Sequence, residues 1–123
     1  MFILDLSFRQ TVPIVFFIFF SQLKADESLT KLTPFLSQHC FSCHGKDKQK
    51  GDIRLDSLGR DLTKHENIEI WQGVLDQLNL GEMPPKKQPQ PTISETKPII
   101  DTLSKTLKVA YEKARSTDGE TVL

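Results

Sequence analysis

Apolar positions along the chain fall into three helix-spaced groups, separated by polar stretches rich in glycine and proline. Between Asp26 and Cys40, the residues Leu29, Leu32, Phe35 and Leu36 recur at helical spacing and predict a first amphipathic helix. Pro34 interrupts that pattern. Either it kinks one helix, or it opens a helix behind Thr33 as N-cap. A second helix, from about Glu66, places Ile68, Trp71, Val74, Leu75 and Leu78 on one face, with Gly81 set to end it. A third, from about Ser94 to Ala114, carries Ile99, Leu103, Leu107, Ala110 and Ala114 in one stripe. Thr92 and Glu95 resemble a capping box at its start, while Pro98 argues for a later one. Trp71 and Tyr111 both fall on faces expected to be buried. Gly45 to Gly59 has no helical stripe and reads as an extended loop in which Ile53 and Leu55 alternate. The Lys- and Pro-rich run from Met83 to Pro91 cannot be helical. Residues 115–123 have neither stripe nor stop signal and read as a polar tail or a truncated linker.

The longest apolar run, Val12 to Phe20, is too short for a membrane-spanning helix, which needs roughly 20 apolar residues. Flanked by Arg9 and by the polar stretch Ser21 to Lys24, it fits the apolar core of a secretory signal. Ala25 offers a small residue for cleavage, with Leu23 a poorer match two positions earlier. Residues 1–25 are therefore expected to be a signal peptide, with an uncleaved anchor or a buried strand as the alternative. Residues 26–114 form the expected domain, exported to the periplasm or another extracytoplasmic space.

Composition narrows the function. With 123 residues the chain holds one small domain, too small for a large enzyme. Sixteen basic against sixteen acidic residues leave no strongly basic face for nucleic acid. An apolar content of 37% is enough for a modest core and argues against disorder. The two cysteines, Cys40 and Cys43, stand too close to staple a loop, which argues against a small secreted disulfide scaffold.

Those cysteines carry the chemistry. Cys40-Phe41-Ser42-Cys43-His44 is a C-x-x-C-H pentapeptide, the attachment signature for c-type haem. Two thiols three positions apart can each form a thioether to one edge of a porphyrin, and the next imidazole is then directed at the iron. The export signal agrees, because c-type haem is attached outside the cytoplasm. Two rivals use the same cysteines. Structural zinc would need two histidines from His39, His44 and His65, and His65 stands alone. A thiol-disulfide oxidoreductase would want the motif opening a helix after a strand, whereas the stretch before Cys40 reads as helix.

A second axial ligand is sought next, since a thioether in that position raises the reduction potential relative to a second imidazole. Without Met1, Met83 is the one methionine remaining, in Gly81-Glu82-Met83-Pro84-Pro85. Two prolines lower the entropy lost in holding its sulfur against iron. The alternative is that Met83 fills a core gap. His39 and His65 compete for the sixth position. Lys46, Lys48, Lys50 and Arg54 make a positive stretch after the motif, either a solvated loop or, through Arg54, a partner for haem propionates.

Together, Cys40-Phe-Ser-Cys43-His44-Gly45, Lys50-Gly-Asp-Ile-Arg-Leu-Asp56-Ser, Trp71 with Val74 and Leu78, and Gly81-Glu-Met-Pro-Pro85 resemble the planctomycete-type cytochrome c domain. The likeness runs from about Leu29 to Lys113. It implies an all-α, small class I cytochrome c-like fold of three to four helices around one covalent haem c, with His44 proximal and Met83 distal. In that family the domain usually stands at the front of a longer exported protein. The expected role is one-electron transfer as a monomeric carrier, with a redox partner protein or fused downstream domains. Membrane contact is expected only through an uncleaved N-terminal segment. A haem-based sensor and an electron-delivery domain of a longer enzyme are the alternatives.

Overall fold

The computed structural model describes residues 26–118, so the expected signal segment lies outside the described residues. Residues 26–30 are helical, followed by α1 (Thr33–His39), a 3-10 turn (Lys50–Asp52), α2 (His65–Leu80) and α3 (Ile93–Asp118). Among the described residues there is no strand, only an isolated antiparallel bridge between His44 and Gln49. The fold is all-α. Among the described residues no helix is long and apolar enough to cross a membrane.

The first apolar group forms two short helical pieces joined at residues 31–32. Pro34, in the first turn of α1, has no N–H to give to the preceding turn. Thr33 is already helical and Leu32 takes the N-cap position, without a side-chain cap. The chain nonetheless stays close to helical through the joint. Leu32 sits at φ −79° and ψ −18°, its N–H reaches the Leu29 carbonyl at 3.1 Å, and its own carbonyl accepts from Leu36 N–H at 3.0 Å. Leu29, Leu32, Phe35 and Leu36 therefore remain on one buried face.

α2 ends as the sequence indicates. Gly81 adopts φ +66°, its N–H bonds the Leu78 carbonyl at 3.2 Å, and Glu82 N–H bonds the Gln77 carbonyl at 3.1 Å. This is a Schellman termination, which a residue without a Cβ makes at low cost. The buried face of α2 carries Ile68, Trp71, Leu75 and Leu78. Trp71 is buried as expected and also has a polar task, donating from Nε1 to the Gly59 carbonyl at 2.9 Å. Asn67 donates to the Asp61 carbonyl at 2.8 Å, so the segment leading into α2 is tied down along its first turns.

α3 starts with the capping box the sequence shows. Thr92 N–H donates to Glu95 Oε2 at 2.7 Å, and Glu95 N–H donates to Thr92 Oγ1 at 3.2 Å. That double bond sets the start at Ile93, and the helix absorbs Pro98 rather than waiting for it. Ile99, Leu103, Leu107 and Ala110 face α2 and the first helical pieces in one core. The stripe then runs out of partners. Ala114 and Tyr111 keep its register but are exposed, Tyr111 by 38%, because α3 continues to Asp118 past the elements packed on it. The expected burial of Tyr111 and Ala114 is corrected accordingly.

Glu95 makes the cap pH-dependent. The Thr92 amide, and then its hydroxyl, hold the Glu95 carboxyl below its ordinary value of 4.5. A depressed carboxyl contributes stability above its unfolded value, and the contribution is lost as pH falls through the lower, folded one. Denaturant unfolding of Glu95→Gln is expected to show a deficit against the parent chain at neutral pH. The deficit should shrink as pH drops below 4.5; a deficit independent of pH would show that the carboxylate charge is not what caps α3.

Candidate haem site

α1 delivers the pentapeptide. Cys40 N–H and Phe41 N–H both bond the Leu36 carbonyl, at 2.8 and 3.0 Å. The Cys40 carbonyl in turn accepts from Cys43 N–H at 3.1 Å and His44 N–H at 2.9 Å. The motif is thus one tight turn at the C-terminal end of a helix, and it brings Cys40, Cys43 and His44 together. Cys40 and Phe41 pack against the core. Gly45 closes the turn, and a Cβ there would run into the Phe41 carbonyl, so only glycine fits directly behind the histidine.

Within the loop expected to be extended from Gly45 to Gly59, residues 45–55 fold back on the pentapeptide. Gly45 N–H bonds the Lys48 carbonyl at 2.8 Å, Lys50 N–H returns to the Cys43 carbonyl at 2.9 Å, and Leu55 N–H returns to the His44 carbonyl at 2.8 Å. Gly51 and Asp52 reverse the chain with φ of +66° and +58°. Asp52 does so as a non-glycine residue in the left-handed region. Leu55 is buried but Ile53 is exposed, so the alternation of the two does not bring both into the core. The loop thereby places the Ile53 carbonyl 3.3 Å from His44 Nδ1. A carbonyl can only accept, so Nδ1 carries the proton and Nε2 keeps its lone pair. A metal-bound histidine commonly has its other nitrogen satisfied in this way.

Burial pushes the Cys40 thiol up to about 11. A thiol that stays protonated is a poor nucleophile, and the motif follows a helix rather than opening one; both facts weigh against a thiol-disulfide oxidoreductase. His65, the first residue of α2, directs Nε2 to Glu69 at 3.1 Å on the exposed face. His39 stacks on Phe35 with ring centroids 4.8 Å apart. Neither is gathered with the cysteines into a zinc site.

Met83 lies on a separate stretch, three residues past the end of α2, and is 39% exposed rather than buried in a core gap. The loop after it is shaped by a residue the sequence did not single out. Gln90 Nε2 donates to the carbonyls of Pro84, Pro85 and Gln88 at 3.1, 3.0 and 2.9 Å. The Pro85 carbonyl also accepts from Gln88 N–H at 2.8 Å, and the one side-chain amide reaches all three carbonyls. Lys46, Lys48 and Lys50 are exposed. Arg54 is engaged with Asp56, Nε to Oδ1 at 2.8 Å and Nη2 to Oδ2 at 3.1 Å. The hydrogen bond from Arg54 is the main cause that holds the Asp56 carboxyl below the usual carboxylate range.

The donor set fits covalent haem: two thiols in one turn and an imidazole with Nδ1 already occupied. A small all-α domain built around such a turn is a cytochrome c-like domain. Residues 40–87 match the family model described as Planctomycete cytochrome C, which supports a planctomycete-type cytochrome c domain over that segment. Over that segment the chain is similar to a haem-binding electron-transfer module of the c type. No curated protein and no solved structure matches the chain.

Proposed function

We propose that the chain is an exported monohaem cytochrome that carries single electrons through an iron held by His44 and Met83. The observation that carries this reading is the turn at Cys40 to His44, with Nδ1 of His44 answered by Ile53. Haem, when bound, supplies an iron centre that gains and loses one electron. The chain's own residues do the rest. Cys40 and Cys43 tether the porphyrin, and His44 offers Nε2 from a fixed ring. Met83 offers a thioether, which favours the reduced iron relative to an imidazole. Gln90 and the two prolines hold the Met83 loop in shape. Covalent attachment outside the cytoplasm fits the apolar segment at Val12 to Phe20, with the domain released or kept at the membrane by that segment. Its electrons would pass to a redox protein or to domains fused downstream, from a monomer.

The exposure of Met83 favours a second reading, a haem module that binds a small molecule when the methionine leaves the iron. Carbon monoxide separates the two. A closed electron carrier resists it in the reduced state, and Met83→Ala is expected to admit it. The same variant should lose the sulfur-to-iron charge-transfer band and show a lower potential. Rapid carbon monoxide binding by the parent chain would overturn the closed-site reading.

A further inference from the structure

The loop that orients His44 has a weak point, and a two-pronged ion pair sits across it. Ile53, whose carbonyl faces His44 Nδ1, is 41% exposed, so its side chain does little to fix its position. Its backbone is extended, at φ −104° and ψ 128°. Two residues on, Leu55 is buried and bonded through its N–H to the His44 carbonyl. Between and beyond them stand Arg54 and Asp56. The chain turns at Asp56 and Ser57, where Leu58 N–H bonds the Leu55 carbonyl at 3.3 Å. Across that bend Arg54 and Asp56 close a two-pronged bridge at 2.8 and 3.1 Å, while Leu55 between them is buried.

We infer that the Arg54–Asp56 pair is a positioning device for the haem-ligating histidine, tying Arg54 to the turn at Asp56 so that the Ile53 carbonyl stays on His44 Nδ1. The inference rests on the proposal that His44 binds the iron. A bidentate guanidinium–carboxylate pair fixes geometry as well as charge, which a single contact would not do. Half-exposed side chains make it a small contributor to global stability. Its effect is felt locally, at the carbonyl. An Nδ1–H that donates to a fixed carbonyl raises the basicity of the imidazole and so favours oxidised iron. Loosening the clamp weakens that donation and moves the potential upward.

The test uses the haem-loaded chain with Arg54→Gln, Asp56→Asn and the milder Arg54→Lys, together with the exchanged double variant Arg54→Asp, Asp56→Arg. Two quantities are read: the reduction potential, and the solvent exchange of the His44 Nδ1 proton in the reduced protein by nitrogen-15 NMR. Arg54→Gln and Asp56→Asn are each expected to raise the potential, and to speed exchange about fivefold for a lost bond of about 1 kcal/mol. Arg54→Lys should fall between them and the parent, and the exchanged pair should return both quantities toward parent values. Parent His44 resonances without the large haem-induced displacement would show that His44 is not on the iron, removing the ligation proposal and this inference with it. Displaced resonances combined with unmoved potential and exchange in the variants would overturn the clamp alone. A shift in Arg54→Gln that Asp56→Asn does not share would also overturn it, assigning Arg54 to a propionate instead.

Discussion

A chain carrying Cys40→Ala and Cys43→Ala is expected to emerge from an exporting host without covalent haem, while the parent keeps its colour on the denatured polypeptide after acid-organic extraction. The expectation follows from geometry. The Cys40 carbonyl accepts from both Cys43 and His44, so the two thiols and the imidazole belong to a single turn held by backbone hydrogen bonds. Removing the sulfurs leaves that backbone turn intact and takes away only the tethers. His44 could then still hold haem reversibly, and such haem would be extracted by acidified organic solvent. Extractable haem from the parent chain would show that the cysteines are not tethers. Colour retained by the double variant would place the covalent link elsewhere.

Leu103→Ala is expected to be the most damaging single substitution in the core. Leu103 sits at the middle of the α3 stripe with 0% exposure, in the cluster that joins α2, α3 and the first helical pieces. Truncating a fully buried leucine typically costs about 2–5 kcal/mol, combining lost transfer energy with an unfilled cavity. Small domains have about 5–15 kcal/mol in total, so the variant should lose a large share of its stability. Denaturant unfolding should show a lower midpoint with an unchanged slope. A loss below about 1 kcal/mol would mean that the packing between α2 and α3 is not what supports the haem-bearing turn.

The helices were legible because their signals are local. The Thr92–Glu95 box, Gly81 behind an apolar stripe, and the spacing of Leu103 and Leu107 each need only a few neighbouring residues. Where α1 begins was left open by the sequence, since Pro34 is compatible with a kink and with a helix start; the chain takes a joint at residues 31–32 that keeps both pieces on one face. Tyr111 and Ala114 were misread for the opposite reason. Periodicity states which way a residue points along a helix, not whether anything lies opposite it. The chemistry of the site was legible in type: Cys40, Cys43 and His44 announce themselves by spacing. What orients them was not, because Ile53 contributes a carbonyl, which any residue has, and Gly45 is needed for a clash that only the folded turn creates. Gln90 was hidden in a proline-rich stretch that looked merely non-helical.

Charge gave a further partial signal. Arg54 in a run with three lysines reads as a basic patch, yet its guanidinium is engaged by Asp56 two residues later. The pair spans the stretch between the reversal at Gly51 and Asp52, after which Ile53 is extended, and the turn that begins at Asp56.

The account stands on a covalently tethered haem that exchanges single electrons. The measurement that tests it most directly is an optical redox titration of the purified, haem-loaded chain. It predicts one reversible step that follows a one-electron Nernst curve, with the sulfur-to-iron band present in the oxidised form. A chain with no reversible one-electron step would contradict it.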